Sequence, residues 1–284
     1  MPGQASSETK GRSGPGRLAP RRLALITGAS AGIGEAFARA YAKRGFDLAL
    51  VARRADRLEA LAAELSTAHG IEACAIPADL SLFEGHLPVL AALAVRGRAA
   101  DVLVNNAGFG IPQSFTGVPW AAQRDFLMTM VVGACGLAYG VIPGMVERGG
   151  GDIIQVASVA GFSPGVAGNT LYPAVKSLAI KFSQSLDAEY RSKGLRVTAV
   201  CPGSTKTEFT AQAGIAHLMS DRPSLFSQTA EAVVETAICA NQRGKVVVVP
   251  GWHNKLAVGL MRGLPEPLVR AVIGAGSAKY HLGD

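Results

Sequence analysis

The sequence contains few charged residues. Asp, Glu, Lys and Arg make up 17% of its 284 residues, whereas apolar residues make up 49%. Because about a quarter of an ordinary soluble domain is charged, we expect much of the helix surface to be buried against a sheet or against other subunits. The apolar content is ample for a sizeable core, and one large α/β domain is the simpler reading of this length.

The sequence also lacks a basic stripe of the kind that binds nucleic acid. The net charge is +7, but residues 1–22 contain five basic side chains and Glu8, a net +4. The remaining +3 is spread along the chain without interleaved aromatic residues, which argues against nucleic-acid binding. Residues 1–20 are rich in Gly, Ser, Pro and Arg, and this composition predicts a disordered basic tail.

Closely spaced cysteines and metal-ligand patterns are missing as well. The four cysteines are too far apart for a C-x-x-C pair and each lies in an apolar run, which predicts four buried thiols in a reducing compartment. No window reaches the length of a membrane-spanning helix, and no hydrophobic region follows the basic N-terminal residues, so a cytoplasmic protein is expected. The five histidines have no ligand spacing, so no metal site is predicted. The four cysteines are Cys74, Cys135, Cys201 and Cys239, and the five histidines are His69, His86, His217, His253 and His281.

A glycine-rich turn follows the first apolar segment. Residues 23–44 predict a strand, a turn with the sequence T-G-A-S-A-G-I-G, and a helix. Gly28, Gly32 and Gly34 permit a tight turn and a close approach to a pyrophosphate, and the helix N-terminus offers N–H groups to the anion. The alternative is an ordinary loop between strand and helix, but the strand and helix on either side favour a dinucleotide site.

Two arginines follow the second predicted strand, residues 47–52. A site that selects NAD usually carries an acidic residue here, whereas arginine suits the 2′-phosphate of NADP. The sequence therefore predicts NADP(H), with Arg53 as the phosphate ligand. A solvated residue at a helix start is the more plausible alternative for Arg54, and Ser30 is a further candidate phosphate ligand.

Strands and helices then alternate along the chain. Together with a strand at the sheet edge near residues 245–249, they predict a single-domain, doubly wound, seven-stranded parallel sheet with helices on both faces over residues 21–250, with ligands at the carboxyl ends of the strands. Asp79 and Leu80 follow the third strand, where an adenine ring would rest. The other strands are expected at residues 71–77, 101–104, 151–157 and 195–201, and helices at residues 55–69, 83–97, 120–147, 171–193 and 231–241.

A tyrosine and a lysine lie four positions apart after a Gly/Ser/Pro-rich loop. Residues at i and i+4 are neighbours on a helix, so the Lys176 charge can favour the phenolate of Tyr172 and lower its pKa from about 10. A tyrosine tuned in this way exchanges a proton with a substrate oxygen. The alternative for this spacing alone is a solvated helix face.

Several of these motifs together resemble the short-chain dehydrogenase/reductase family over about residues 23–250. The matching pieces are T-G-x-x-x-G-x-G at 27–34, Asp79, N-N-A-G at 105–108, Ser158, Y-x-x-x-K at 172–176 and P-G-x-x-x-T at 202–207. The resemblance implies that Tyr172 is the general acid/base, that Lys176 lowers its pKa and binds the nicotinamide ribose, and that Ser158 hydrogen-bonds the substrate carbonyl.

The same resemblance implies the other cofactor contacts. Asn105 would lie beside the cofactor, Ala107 and Gly108 would line its adenosine side, and the P-G-x-x-x-T residues would border the nicotinamide. The expected contacts further include Ile33, Pro202, Gly203, Thr205 and Thr207. One departure is Met130, which stands where the family usually has an asparagine that distorts the helix and supports a proton-supplying water. Met130 indicates either a slower or rerouted proton supply or an enzyme that is losing activity.

These expectations define an NADP(H)-dependent oxidoreductase for an apolar ketone or aldehyde. The predicted pocket is mostly apolar and has no paired arginine to grip an acid, and residues 204–228 form a candidate substrate lid. The pocket residues are Phe109, Phe162, Val166, Phe209 and Met219. The alternative function is an NADP-binding regulatory or scaffold protein with impaired turnover.

Residues 251–284 extend beyond the last predicted strand. Two short amphipathic helices are expected there, which could pack on a neighbouring subunit, cover the pocket or lie on a membrane surface. We expect a homodimer or homotetramer with a small-molecule substrate and no transmembrane segment.

Overall fold

The computed structural model describes residues 21–165, 167–168, 170–205 and 227–277. Within these residues, one sheet contains seven strands: β1 (Leu23–Thr27), β2 (Asp47–Ala52), β3 (Ala73–Pro77), β4 (Val102–Asn105), β5 (Gly151–Val156), β6 (Leu195–Val200) and β7 (Val247–Val248). Their order is β3-β2-β1-β4-β5-β6-β7 and every pair is parallel. The predicted doubly wound sheet is therefore confirmed, with β7 at its edge.

Helices cover both faces of this sheet. In chain order they are α1 (Gly32–Lys43), α2 (Ala55–His69), α3 (Leu87–Val95), α4 (Trp120–Leu127), α5 (Ala134–Glu147), α6 (Leu171–Tyr190), α7 (Ala230–Gln242), α8 (Trp252–Gly263) and α9 (Glu266–Ser277). One core layer joins the sheet to α1, α2 and α7, and the other joins it to α3, α5 and α6.

The strands are nearly continuous apolar runs because both faces are buried. Leu25 and Ile26 are adjacent in β1 and both fully buried. Since successive side chains of a strand point to opposite faces, Ile26 packs with α1 and α2 while Leu25 packs with α3 and α5.

The strand order reverses between β1 and β4. From β1 the chain crosses to β2 and β3 on one side, and then returns to β4 on the other. Such a switch point leaves a crevice at the carboxyl ends of the strands, where ligands of this fold bind. The glycine turn after β1 and the N-N-A-G segment after β4 border this crevice.

The long helix predicted for residues 120–147 contains an unexpected distortion. It consists of α4, a π-helical stretch at Met128–Gly133, and α5. By length and composition the whole stretch could cross a membrane, which corrects the prediction that no window reaches this length. Leu137, Val141 and Met145 of α5 are buried in the sheet core, so packing in this fold explains the apolar composition.

The cysteine environments also differ from the prediction of four buried thiols. All four thiols are free, but only Cys201 is buried. Cys239 is exposed and Cys74 and Cys135 are half-buried, because the apolar runs that contain them lie partly on the outer faces of their elements. The third predicted helix is shorter than residues 83–97, and α8 and α9 provide the two helices expected after β7.

Candidate active site

The glycine turn leaves no room for side chains at two of its positions. Gly28 has a φ of +66°, and a Cβ atom there would lie 2.7 Å from Asn106 Nδ2. A Cβ atom on Gly34 would overlap the Gly28 carbonyl oxygen. Helix α1 begins at Gly32 without a side-chain hydrogen bond from its N-cap, Ala31. The close-packed turn and uncapped helix start fit the pyrophosphate of a dinucleotide.

Thr27 and Asn106 fasten this turn to the end of β4. The Thr27 hydroxyl donates to the Val104 carbonyl at 3.2 Å and accepts from the Asn106 and Ala107 N–H groups at 2.9 and 3.0 Å. Asn106 Nδ2 donates to the Thr27 carbonyl at 2.9 Å. The sequence prediction omitted Asn106 and Thr27 from the site, although both occur in its quoted motifs.

The two arginines after β2 have different surroundings. Arg54 is half-buried, and its guanidinium donates to Ser30 Oγ at 2.9 and 3.2 Å. Arg53 is exposed, and its charge acts on the Asp79 carboxyl group. Arg54 therefore contacts the glycine turn through Ser30, while the choice of Arg53 as the phosphate ligand stays a prediction.

Asp79 and Leu80 occupy different environments at the end of β3. Burial raises the pKa of Asp79, but hydrogen bonds from the Ser81 N–H and hydroxyl, with the charge of Arg53, leave that pKa below its ordinary value. Leu80 is buried and lies close to Gly133. Asp79 therefore remains a carboxylate at the crevice, while Leu80 faces the core.

Lys176 is buried beneath Tyr172 on α6. Its Nζ atom lies 5.5 Å from the centroid of the Tyr172 ring and donates to the Val156 carbonyl at 2.8 Å. Burial lowers the pKa of Lys176 to about 8. Tyr172 itself is half-buried. The i, i+4 spacing thus places the ammonium group against the phenol, as predicted from the helical pattern.

Ser158 lies two residues beyond Val156, the last residue of β5, whose carbonyl accepts the hydrogen bond from Lys176. Its Oγ accepts from the Ala160 N–H at 3.1 Å, and it caps a 3₁₀ turn at Val159–Phe162. The same hydroxyl is 3.5 Å from the Pro202 carbonyl. The end of β5 therefore positions both Ser158 and the Lys176 ammonium group.

The segment after β6 is held by the C-terminal helix α8. Gly203 packs so closely on the amide of Asn254 that a Cβ atom would overlap it. Asn254 is buried and donates to Gln228 Oε1 at 3.1 Å and to the Pro250 carbonyl at 2.9 Å. Thr205 Oγ1 donates to the Gly203 carbonyl at 3.3 Å. Asn254 was not predicted, because no local motif connects it to Gly203.

Met130 lies inside the π-helical stretch and packs against apolar groups. A Cβ atom on Gly108 would be 3.1 Å from its Cε atom. Met130 clusters with Phe126, Val175 and Tyr172. The helix is therefore distorted at this position even though a methionine occupies it. Asn105 holds the start of the following helix, since its Nδ2 donates to the Ala134 carbonyl at 2.9 Å.

Two of the predicted pocket residues lie in different apolar clusters, and only Phe109 shares its cluster with Tyr172. Phe109 joins the Met130 cluster and packs edge-on against Phe126, with ring centroids 5.5 Å apart. Phe162 packs near Cys201 and lies under the Arg262 guanidinium, 5.2 Å from its ring centroid. The remaining predicted contacts, Val166, Thr207, Phe209 and Met219, lie outside the described residues, as does most of the predicted lid.

A dinucleotide cradle beside a Ser–Tyr–Lys group is the arrangement of an oxidoreductase site. Residues 22–217 match the family model described as short chain dehydrogenase. The chain is 33% identical over 250 residues to an uncharacterized oxidoreductase of Myxococcus xanthus (strain DK1622), covering 88% of this chain and 95% of that protein. The chain therefore belongs to the short-chain dehydrogenase family.

Solved structures of this family have the same fold. One is a short-chain dehydrogenase from Sphingobium yanoikuyae in complex with NADPH, with a TM-score of 0.73, 32% identity, and coverage of 86% of this chain and 97% of that one. Another is the bulky-bulky ketone specific alcohol dehydrogenase from Comamonas testosteroni, with a TM-score of 0.71, 29% identity, and coverage of 86% and 95%. The chain is an oxidoreductase of the short-chain dehydrogenase type with a Rossmann-like fold.

Proposed function

We propose that this protein interconverts an apolar ketone or aldehyde and the corresponding alcohol, using NADP(H). The observation that carries the proposal is the buried Lys176 ammonium group, which lies against the Tyr172 ring and is fixed to the strand that precedes Ser158. Burying a lysine that could lie in water is costly, so a site that retains one beside a tyrosine is a candidate for acid/base chemistry.

Each of the three side chains has a distinct task in this reaction. A bound nicotinamide dinucleotide supplies or accepts the hydride. During reduction, the Tyr172 hydroxyl gives its proton to the substrate oxygen, and the Ser158 hydroxyl donates a hydrogen bond to the same oxygen where negative charge develops. The Lys176 charge stabilises the resulting phenolate. Because the pKa of Lys176 is about 8, this lysine is protonated in most protein molecules at pH 7.

Preference for NADP(H) is supported by the groups around the glycine turn. An acidic residue that could bind a ribose hydroxyl is missing from the end of β2, and two arginines take its place. Arg54 donates to Ser30 at 2.9 Å, so both side chains can reach one phosphate. Arg53 adds a second positive charge at the exposed edge. The Sphingobium yanoikuyae protein, which was solved with NADPH, has the same fold.

An apolar substrate is supported by the surroundings of Tyr172. Phe109 and the Met130 cluster pack beside Tyr172, and Phe162 lies in the 3₁₀ turn that Ser158 caps. We propose that Val166, Phe209 and Met219 complete this pocket. The similarity to an alcohol dehydrogenase specific for bulky ketones is in keeping with a large apolar substrate.

A substrate screen with both cofactors tests the proposal. Purified protein is mixed with NADPH or NADH and a panel of aryl, cyclic and long-chain ketones and aldehydes, and absorbance at the nicotinamide band is followed. Oxidation of NADPH by a bulky ketone, faster than oxidation of NADH, is expected. Tight NADPH binding without turnover of any panel member would instead support the regulatory alternative, for which Met130 is the sequence feature.

A further inference from the structure

A small, partly open cavity lined by Lys176 lies where α6 meets the ends of β4 and β5. Its volume is about 20 Å³, which is enough for one water molecule. The wall is formed by the ends of β4 and β5, the π-helical stretch and α6, and includes Asn105, Gln155, Met130, Val175 and Lys176.

Two amide side chains border this cavity side by side. Asn105 and Gln155 are register partners in the parallel pair β4–β5, so their side chains leave the same face of the sheet. Their exposed fractions are 6% and 3%. Two buried amides side by side at the carboxyl end of this strand pair, beyond its apolar centre, indicate a specific polar site.

Each amide has one buried polar atom that lacks a hydrogen-bond partner among the described residues. Asn105 uses Nδ2 to bind the Ala134 carbonyl, which leaves its acceptor Oδ1. Gln155 has its donor Nε2 in the same situation. Exchanging the oxygen and nitrogen of Asn105 would place its oxygen against a carbonyl, so the assignment of its donor is fixed by Ala134.

One water molecule between the two amides would satisfy both atoms at once. It accepts a hydrogen bond from Gln155 Nε2 and donates one to Asn105 Oδ1. Leaving two buried polar atoms unpaired costs more free energy than immobilising one water molecule. The wall also contains Thr27, Thr129 and Lys176. Of these, Lys176 is the cationic donor, and its Nζ atom is already fixed at the Val156 carbonyl, so the second lone pair of this water would be available to it.

We propose that Gln155 is a positioning residue, which together with Asn105 holds a buried water molecule as a hydrogen-bond acceptor for Lys176. An acceptor at this place favours the charged form of the lysine, and the charged lysine stabilises the Tyr172 phenolate. In this proposal the water is held by side chains of the sheet rather than by the π-helical stretch that carries Met130. The kinetic consequence rests on the proposed function, whereas the water site itself does not.

The titratable groups that act on Lys176 come from two elements. Tyr172 precedes it by one turn of α6, and the Cys201 thiol follows β6. Burial lowers the pKa of Lys176 and raises that of Cys201, so the thiol stays neutral in the working range. A substitution of Gln155 is therefore expected to change the pKa of Lys176, and through the charge of Lys176 the stability of the Tyr172 phenolate.

Crystal structures of the wild type and of Gln155→Met at about 1.5 Å or better test the water site without any assay. Wild-type density for one water within hydrogen-bond distance of Asn105 Oδ1 and Gln155 Nε2 is expected, and loss of that density in the variant. An empty cavity in the wild type, or a water that stays in the variant, would overturn the inference while leaving the proposed function intact.

The pH dependence of kcat for ketone reduction tests the effect on Lys176. Gln155→Met should lower the rate about tenfold more at pH 8.5 than at pH 6.5, because Lys176 loses its proton earlier. Gln155→Glu should shift the profile in the opposite direction. Asn241→Leu is the control, since its amide binds Thr198 and Arg196 on the other face of the sheet. Superimposable pH profiles for all variants would overturn the role assigned to Gln155.

Discussion

The Lys176 ammonium group lies 5.5 Å from the centre of the Tyr172 ring and is buried almost completely. Its hydrogen bond to Val156 ties the helix that carries Tyr172 to the strand that leads to Ser158. One side chain thus fixes the distance between the proposed proton donor and the strand end that carries the second hydroxyl. The chemistry proposed for the site depends on keeping this charge away from bulk solvent and against the phenol.

The buried charge should reduce stability at neutral pH. Because burial lowers the pKa of Lys176 from 10.5 to about 8, the folded protein binds fewer protons than the unfolded chain between these pH values, and stability rises with pH through that window. Lys176→Met should therefore be more stable than the wild type at pH 7, by up to about 3 kcal/mol. The difference should shrink by pH 10.

Urea unfolding of both proteins at pH 7 and pH 10 measures this effect. Lys176→Met also loses the hydrogen bond to the Val156 carbonyl, which lowers the free energy of unfolding. We therefore expect a net stabilisation smaller than about 3 kcal/mol at pH 7. A variant that is less stable at pH 7, with a gap independent of pH, would contradict the assigned pKa.

Arg54 should contribute to cofactor choice through its contact with Ser30. If Arg54 binds the 2′-phosphate as proposed, Arg54→Ala removes a charged donor worth about 1.5–3 kcal/mol, or about 10- to 100-fold in the Kd for NADPH. The Kd for NADH should change little. Fluorescence titration with both cofactors measures the two constants.

A matched arginine elsewhere separates a local effect from a loss of net charge. Arg96 is exposed at the end of α3 and donates to the Ala92 carbonyl, so Arg96→Ala should leave both affinities unchanged. Arg53→Ala shows whether the exposed arginine shares the phosphate. Equal weakening of NADPH and NADH in Arg54→Ala would remove Arg54 from the 2′-phosphate site.

Glycine at position 34 should be required for the turn to close. A Cβ atom there would overlap the Gly28 carbonyl oxygen, so Gly34→Ala should lower the free energy of unfolding by about 1–3 kcal/mol and weaken cofactor binding. Gly259 is the control, since it lies exposed in α8 with nothing within 4 Å of an added Cβ atom. Gly259→Ala should stabilise the protein by up to about 1 kcal/mol. Thermal and urea unfolding should show these opposite signs, and equal effects would contradict the packing described for the turn.

Met130→Asn tests whether the family's usual residue fits this protein. The methionine packs on Gly108 and the aromatic cluster. An asparagine amide there would lose its hydrogen bonds to water and would be surrounded by these apolar groups. The variant should be less stable by about 1–3 kcal/mol and should show no gain in kcat. A several-fold increase in kcat with unchanged stability would mean that Met130 does limit proton supply.

The sheet was predictable because its signals are local. Apolar runs such as Leu23–Ile26 predict strands, and the turn at Gly28 predicts the change from strand to helix. Because strands and helices alternate along the chain, the strands are expected to be parallel. The π-helical stretch around Met130 was not predictable, since widening of a helix depends on packing across it rather than on its own periodicity.

The site was predictable only where its residues belong to a contiguous motif. Tyr172 and Lys176 share one helix face, so their spacing of four positions in the sequence is enough to predict their contact. The pairing of Arg54 with Ser30 and of Gln155 with Asn105 joins segments 24 and 50 residues apart, and the sheet register brings them together. Such pairs have no signature within either segment.

The reaction proposed for this site is reduction of a ketone by hydride from NADPH, with Tyr172 as the proton donor. Its most direct test is mass spectrometry of the alcohol formed from a bulky ketone with NADPH carrying deuterium at the transferred C4 position. The wild type should give an alcohol with one deuterium on the carbinol carbon. Tyr172→Phe should still bind NADPH but form the labelled alcohol at least about 100-fold more slowly. Labelled alcohol formed at the wild-type rate by Tyr172→Phe would contradict the account.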